Sequence, residues 1–246
     1  MNKFTLKLLM VALFLLMLLL EWRKGQIKIA PSRLQRADWR LYGKVLFLFT
    51  SLSIGISFLD PVLVGVVQGI RHPLFAWVAD GGGWLGRSVN LWFVLAAGYF
   101  IFLIIPWFRR RFEASRIFSC LLSVALASIF SSGIKRIFLR ARPDAHQGHL
   151  SFLNFSGLVR NETLFQSFPS GDVVIVAAAA AYLLLLLKKG PWRWLLLLLP
   201  LATALSRIDG NRHWPSDTVF SIGLGLLCSL FIFQFQNFPV KPPAPN

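Results

Sequence analysis

The sequence predicts an all-α fold: a polytopic membrane helix bundle with a six-helix core and one extra N-terminal hydrophobic helix. Of its 246 residues, 56% are hydrophobic and only 15% are charged, whereas soluble domains carry about 25% charged residues. The mean hydropathy is +0.63. Several apolar runs approach the roughly 20 residues that a helix needs to cross a bilayer. Non-helical backbone exposed to hydrocarbon is not tolerated, so these runs are expected to be helices.

Seven apolar runs define the predicted helices. They are Phe4–Leu20, Val45–Leu59, Leu91–Trp107, Ile117–Ile134, Val173–Leu187, Trp192–Leu205 and Thr218–Phe233. The chain then divides into an N-terminal hydrophobic helix with a basic cytoplasmic linker (1–44), a six-helix membrane domain (45–236) and a Pro-rich tail (237–246) expected to be disordered. For the first run, the alternatives are an interfacial helix, packing against the bundle, or a cleaved signal peptide, although no Ala-x-Ala site follows it.

The stretch from Asp60 to Ser88 separates the second run from the third. It contains Trp77, Trp84 and three consecutive glycines at 81–83. Aromatic side chains favour head-group depth, so one interpretation is interfacial structure in which the glycines form a turn. A plain connector is the alternative interpretation.

Loop charge predicts the orientation of the bundle. The formal net charge is +16, and the basic residues concentrate in the 21–44 linker, at Arg109–Arg111 and at Lys188–Lys189. The positive-inside rule places these segments in the cytoplasm. No recognisable nucleic-acid-binding module is present, so membrane lipids are the expected partners of this charge and nucleic acid is not. We expect a multi-pass protein of the bacterial inner membrane.

The first polar motif is Lys135–Pro143, KRIFLRARP. Lys135 and Arg142 lie seven residues apart, so a helix that continued to Pro143 would present both on one face. A guanidinium offers a fork of donors that fits phosphate oxygens, and an ammonium adds a point charge. Arg136 and Arg140 are rival candidates, and basic residues at a helix end often serve only as interfacial anchors.

The second motif, Pro169-Ser170-Gly171, precedes the fifth run. A helix N-terminus is a natural anion seat. Ser170 can add a hydroxyl donor, and Gly171 lets the backbone approach a ligand closely. An ordinary helix start, with Asp172 in its first turn, is the alternative interpretation.

The third motif is Ser206–Asp217, SRIDGNRHWPSD. Arg207 is a third cation for the same phosphate. His213 and Asp217 lie four residues apart, one turn if helical, so the carboxylate can hold one imidazole nitrogen protonated while the other attacks. All three motifs fall on the face opposite the basic loops, which predicts one phosphate site at the periplasmic surface.

These motifs resemble the signature of the type 2 phosphatidic acid phosphatase superfamily: K-x6-RP, PSGH and SR-x5-H-x3-D. Lys135, Arg142 and Pro143 match the first part, and Ser206, Arg207, His213 and Asp217 match the third, with every spacing met. The resemblance covers Lys135–Asp217 by motif and Val45–Phe233 by helix order.

The resemblance implies a phosphatase mechanism. His213 would attack phosphorus to form a phosphohistidine, which water hydrolyses, and Asp217 would orient the imidazole. Lys135, Arg142, Arg207, Ser170 and Gly171 would bind the phosphoryl oxygens. The family needs no metal or other cofactor, and the sequence has no carboxylate cluster with metal-ligand spacing. The implied substrate is a phosphorylated lipid; the oligomeric state is left open.

Asp172 departs from the family pattern, which has a histidine here as the usual general acid. A carboxylate is ionised at neutral pH, and nearby cations favour that form. Either the leaving group needs little protonation, or the acid lies elsewhere, with His146 and His149 as candidates, or Asp172 is an engineered substitution. The first option favours lipid A 1-phosphate, then undecaprenyl diphosphate, then phosphatidylglycerophosphate.

Three other functions compete with lipid phosphate hydrolysis. A phosphotransferase would pass the phosphoryl group to an acceptor lipid instead of water. A lipid-binding scaffold would not demand the His213–Asp217 pair. A transporter would gather polar residues at mid-membrane, whereas these gather at one face.

Overall fold

The structure is a computed structural model that describes residues 3–23, 39–70, 72–105, 114–152, 163–187 and 190–235. These residues form α-helices and short 3₁₀ turns without a β-strand, which confirms the predicted all-α class. The α-helices are α1 (Lys3–Arg23), α2 (Trp39–Ser57), α3 (Asp60–Gly69), α4 (Pro73–Gly86), α5 (Ser88–Ile104), α6 (Ala114–Phe138), α7 (Gly171–Leu186), α8 (Leu198–Asp209) and α9 (Pro215–Phe235). The 3₁₀ turns are Pro143–Ala145, Thr163–Phe165 and Pro191–Leu197. The tail predicted to be disordered lies outside the described residues.

Helix α7 lies at the centre of the bundle. It packs against α6, α8 and α9, and every residue from Val173 to Tyr182 is buried. Five consecutive alanines at 177–181 make the side-chain layer around this helix narrow. A Cβ atom placed on Gly225 of α9 would lie only 2.7 Å from the Val174 carbonyl oxygen. Small residues let the two backbones approach closely, as is typical of helix contacts inside membranes.

Two described helical segments are long and apolar enough to cross a bilayer alone, Arg116–Phe138 and Pro215–Gln234. Helices α2 and α3 qualify as a pair, bent by 78° at the break between them. The sequence predicts one run at Val45–Leu59, whereas α2 ends at Ser57 and α3 starts at Asp60. The bend places the buried carboxylate of Asp60 inside the bundle.

The glycines at 81–83 lie inside α4, so the predicted turn at this position is wrong, as is the plain connector. Glycine disfavours a helix interior by about 1 kcal/mol relative to alanine, which is why the sequence suggested a turn. Packing explains the helix, because a Cβ atom on Gly82 would lie 2.3 Å from the carbonyl carbon of Ala202 in α8. A Cβ atom on Gly86 would lie 2.6 Å from the Thr203 methyl group. Glycine therefore allows a contact between α4 and α8 that a side chain would block.

The sixth predicted run differs from the structure, whereas the predicted N-terminal helix is present. The predicted run Trp192–Leu205 is not one helix, because its first part is the 3₁₀ segment Pro191–Leu197 and α8 follows. The N-terminal helix α1 packs against α5 and α6. The Tyr99 hydroxyl of α5 donates to Glu21 Oε1 of α1 at 2.7 Å, and both residues are buried. Helix α1 is therefore joined to the bundle by a polar contact.

Candidate active site

Four helix ends meet at one end of the bundle. They are the C-terminal ends of α6 and α8 and the N-terminal ends of α7 and α9, as expected for neighbours that alternate in direction. The three motifs predicted from the sequence occupy these ends and the segments that join them. The structure therefore brings all three motifs together.

The first motif is not one continuous helix. Helix α6 ends at Phe138, before Pro143, and Leu139 follows with a φ of 44°. Arg142 has extended backbone, with φ −78° and ψ 160°, and its amide N–H donates to the Leu164 carbonyl at 2.8 Å. The prediction that Lys135 and Arg142 share one helix face is therefore wrong. They reach the site from separate elements, Lys135 from α6 and Arg142 from the loop.

The second motif forms the start of α7, with Ser170 as the N-cap. Ser170 is fully buried, and its amide N–H donates to Ser221 Oγ at 2.8 Å. A Cβ atom placed on Gly171 would lie 3.7 Å from Lys135 Nζ. The ammonium group thus lies beside the helix start. The same Cβ atom would lie 3.6 Å from Ser131 Oγ, a buried hydroxyl that lies outside the three motifs.

His213 is held by a backbone carbonyl, and not directly by Asp217. Its Nδ1 lies 2.6 Å from the Ser167 carbonyl oxygen and 4.0 Å from Asp217 Oδ2. A carbonyl oxygen can only accept, so Nδ1 carries the proton and Nε2 of the neutral ring carries the lone pair. The sequence analysis predicted that the Asp217 carboxylate would hold one imidazole nitrogen protonated through a direct contact. The carboxylate is too far away for that hydrogen bond.

The surroundings of His213 keep the imidazole neutral. Burial, and then the positive charges of Lys135 and Arg142, lower the pKa of His213 well below its usual value of 6.5. The Ser167 carbonyl opposes this shift, because it stabilises the protonated ring. Only the neutral ring has a free lone pair, so the lowered pKa of His213 favours a nucleophile at neutral pH.

The Asp217 carboxylate accepts hydrogen bonds from three donors. Its Oδ1 accepts from Arg140 Nη1 at 2.5 Å, and its Oδ2 accepts from Ser167 Oγ at 2.5 Å and from the Trp214 amide at 3.0 Å. The Ser167 hydroxyl therefore binds Asp217 while the Ser167 carbonyl binds His213. Asp217 orients the imidazole through this shared residue.

The sequence did not identify the partners that hold Asp217. Arg140, considered there as a rival phosphate ligand or an interfacial anchor, is buried and bridges Asp217 to Asp60. Arg136, its neighbour on α6, is exposed. The only local signal for Arg140 was its place inside the first motif, and Asp60 lies outside all three motifs. Buried charges are paired in proteins, so an aspartate in an apolar stretch is the general hint that was available.

Arg207 contacts α4 and the start of α7. Its Nη2 donates to the Gly83 carbonyl at 3.0 Å, and its Nε lies 3.1 Å from Asp172 Oδ2. This N–H does not point at the carboxylate, so the two form an ion pair without a hydrogen bond. Asp172 thus lies beside Arg207 as its counter-ion. About 35% of its side chain is exposed.

The two loop histidines occupy different surroundings. His146 is exposed and has left-handed backbone, with a φ of 53°. His149 uses its backbone carbonyl to accept from Arg140 Nε at 2.9 Å, and its ring lies 6.1 Å from the Trp214 ring. The role of general acid suggested for either histidine stays a prediction.

Several buried donors at the site have no hydrogen-bond partner among the described residues. They are Arg142 Nε, Arg207 Nε and the hydroxyl groups of Ser170 and Ser131. Burying a donor without a partner costs about 1–3 kcal/mol. A tetrahedral oxyanion would satisfy several of them at once. The arrangement can therefore bind a phosphoryl group beside a neutral imidazole.

Comparison with known proteins identifies related sequences. The family model described as PAP2 superfamily matches residues 116–241. The bacitracin transport permease protein BcrC of Bacillus licheniformis is 32% identical over 88 residues. That alignment spans 36% of this chain and 42% of the relative, so less than half of BcrC is matched.

Two crystal structures share the fold. LpxE of Aquifex aeolicus has a TM-score of 0.54 and 21% identity, over 72% of this chain and 96% of that one. A PAP2 type phosphatidylglycerolphosphate phosphatase from Bacillus subtilis has a TM-score of 0.56 and 20% identity, over 79% of this chain and 94% of that one. At these identities the likeness concerns the fold alone.

Proposed function

Because this chain belongs to the PAP2 superfamily, we propose that it is a membrane phosphatase that removes phosphate from a lipid head group. The substrate is a phosphomonoester or a diphosphate, and the reaction proceeds through a phosphohistidine on His213. We take lipid A 1-phosphate as the first candidate substrate. Undecaprenyl diphosphate and phosphatidylglycerophosphate are the alternatives.

One observation carries the proposal: donors that are buried and make no hydrogen bond within the described part of the chain lie around a buried, neutral imidazole. Ser170 Oγ, Arg142 Nε and Arg207 Nε come from three different segments. Lys135 adds a fourth group beside the start of α7. A site that only bound phosphate would not require the nucleophilic tautomer of His213.

The chemistry follows from these positions. His213 Nε2 attacks phosphorus, the bond from phosphorus to the leaving oxygen breaks, and the leaving group departs with that electron pair. Lys135, Arg142 and Arg207 stabilise the charge on the equatorial oxygens. Water then attacks the phosphohistidine, which yields inorganic phosphate and the free imidazole. Three cations supply the charge that a metal ion would otherwise supply, so we infer that the reaction needs none.

The position of Asp172 favours substrates with a good leaving group. The Asp172 carboxylate pairs with the Arg207 guanidinium, so we infer that it holds this cation and is not the general acid. A diphosphate releases a phosphate, and an anomeric sugar phosphate releases a stabilised oxygen; both need less protonation than a simple alcohol. We therefore rank lipid A 1-phosphate and prenyl diphosphates above phosphatidic acid.

A phosphate-release assay on purified protein tests both the function and the ranking. We expect release from the favoured lipids in the presence of EDTA, and Asp172→Asn should change their turnover less than about 10-fold, because no proton comes from this residue. Asp172→His should raise activity toward phosphatidic acid.

Asp80→Asn is the matched control, since Asp80 is exposed on α4, and it should keep parental turnover. Fastest turnover on phosphatidic acid by the parent protein would contradict the ranking. A loss of activity in EDTA would contradict metal independence. A doubly phosphorylated lipid in place of free phosphate would identify a phosphotransferase.

We also propose that the site faces the periplasm of the inner membrane. The start of α6, with Arg116, and the end of α7, which leads to Lys188–Lys189, lie at the opposite end of the bundle from the motifs. Basic segments of this kind remain in the cytoplasm.

Thiol labelling in intact cells tests this orientation. Gln147 is exposed in the loop beside the site, and Cys120 and Cys228 are buried. A cysteine at Gln147 should react with a membrane-impermeant maleimide that enters the periplasm, whereas one at the exposed Trp192 should react only after lysis. The reverse pattern would place the site in the cytoplasm.

A further inference from the structure

A buried aspartate outside the three motifs is linked to His213 by consecutive hydrogen bonds. Asp60 is fully buried at the bend between α2 and α3. We propose that Asp60 is a positioning residue for the reaction, acting through Arg140 and Ser216 on the segment that carries His213 and Asp217. This inference rests on the proposed function, because it concerns the same nucleophile.

Arg140 is the first link. Its Nη2 donates to Asp60 Oδ2 at 2.7 Å, and its Nη1 donates to Asp217 Oδ1 at 2.5 Å. The His149 carbonyl accepts from Nε at 2.9 Å and from Nη2 at 2.6 Å. A guanidinium is planar and rigid, so fixing one edge sets the position of the other. Asp60 therefore decides where Arg140 meets the Asp217 carboxylate.

Ser216 is the second link, and it lies between His213 and Asp217 in the chain. Its amide N–H donates to Asp60 Oδ1 at 2.9 Å, and its hydroxyl donates to Asp60 Oδ2 at 2.6 Å. Its carbonyl accepts from Ser53 Oγ of α2 at 2.9 Å. Three hydrogen bonds of Ser216 thus hold the first turn of α9 against the bend between α2 and α3. This contact fixes the backbone that presents His213.

Ser167 completes the chain of contacts to the imidazole. Its hydroxyl donates to Asp217 Oδ2 at 2.5 Å, and its carbonyl binds His213 Nδ1 at 2.6 Å. A shift of the Asp217 carboxylate therefore moves the group that selects the tautomer and the direction of the ring. Misplacing a reacting atom by about 1 Å can lower a rate about 100-fold.

Asp60 acts on the nucleophile and not on substrate affinity. Within the described part of the chain, its hydrogen bonds all go to Arg140 and Ser216. The phosphate-binding groups of Arg142 and Arg207 are not among its partners. Asp60 also precedes the segment that the family model matches, which starts at residue 116. Its loss should therefore lower kcat and leave KM nearly unchanged.

The test compares the parent protein with Asp60→Asn, which keeps the shape and removes the charge. We expect kcat to fall about 10–100-fold, the range seen when outer partners of catalytic groups are removed. KM should stay within about 3-fold, because substrate binding is retained. Gln68→Ala is the control: Gln68 Nε2 joins α3 to the Asp209 carbonyl at 3.3 Å and does not touch the network. It should keep parental kcat.

A double-mutant cycle separates positioning from general loosening of the fold. If Asp60 acts through Asp217, adding Asp60→Asn to Asp217→Asn should lower kcat less than about 3-fold further. Fully multiplicative effects would overturn the proposal, as would parental kcat in folded Asp60→Asn. Phosphate release by the parent protein tests the proposed function separately, so absent parental activity would reject that function first.

Two milder variants decide the matter if Asp60→Asn does not fold. Asp60→Glu keeps the charge but displaces it, and Ser216→Ala removes only the bridging hydroxyl. Each should lower kcat about 3–10-fold at unchanged KM, because both ion pairs of Arg140 persist in shifted positions. Parental kcat in both would overturn the proposal.

Discussion

Replacing His213 with alanine is expected to abolish phosphate release, with a loss of at least about 1,000-fold in kcat. The imidazole is the group that attacks phosphorus in the proposed reaction, and its Nε2 carries the lone pair because Nδ1 is bound to the Ser167 carbonyl. The measurement is release of inorganic phosphate under single-turnover conditions.

Covalent labelling supplies the second measurement for His213. Parent protein quenched during turnover of a ³²P-labelled lipid should carry acid-labile, alkali-stable label, as phosphohistidine does, and His213→Ala should carry none. His72→Ala is the control, since His72 is exposed and caps α4 through its Nδ1. Labelled His213→Ala, or turnover near the parental rate, would reject the mechanism.

Replacing Arg142 with alanine is expected to lower kcat/KM about 100–1,000-fold, the effect of removing one preorganised donor to a developing anion. Its Nε is buried and has no partner among the described residues, so it is free for a phosphoryl oxygen. Burial lowers the pKa of Arg142, which reflects the desolvation of its charge before an anion arrives. Steady-state kinetics on the best lipid substrate measures the loss.

Two companion variants make the Arg142 result specific. Arg142→Lys keeps the charge without the planar fork, so it should restore only part of the lost kcat/KM. Arg136→Ala removes a cation of the same motif from the exposed face of α6 and should stay within about 2-fold of the parent. Equal losses in Arg136→Ala and Arg142→Ala would mean that the site responds to net charge and not to a positioned donor.

Helix content and the three motifs could be predicted from sequence because both signals are local. Apolar runs report burial in lipid directly, and the spacing from Lys135 to Pro143 is met whether or not the helix continues. The helix end could not be predicted, because Leu139 adopts a positive φ that its sequence does not require. The loop conformation that brings Arg142 to the site depends on a contact with Leu164, more than 20 residues away.

The partners of Asp217 illustrate what a motif leaves out. The four-residue spacing makes a direct contact between Asp217 and His213 the natural expectation. In the structure Ser167 stands between them, held to both. Asp60 lies in another helix, and its partner Arg140 has the same positive charge as the three residues proposed to bind phosphate. Which arginine is buried in an ion pair depends on packing between distant elements, and no local pattern encodes it.

The contact between α4 and α8 connects the packing of two helices to the position of the Arg207 guanidinium. Gly82 touches the backbone of Ala202, and the next residue, Gly83, offers the carbonyl that steadies Arg207. A methyl group at Gly82 would push α4 and α8 apart. This would displace the Arg207 guanidinium, although the methyl group would not contact it. We therefore expect activity to be sensitive to substitutions in a contact between two helices that contains no reactive group.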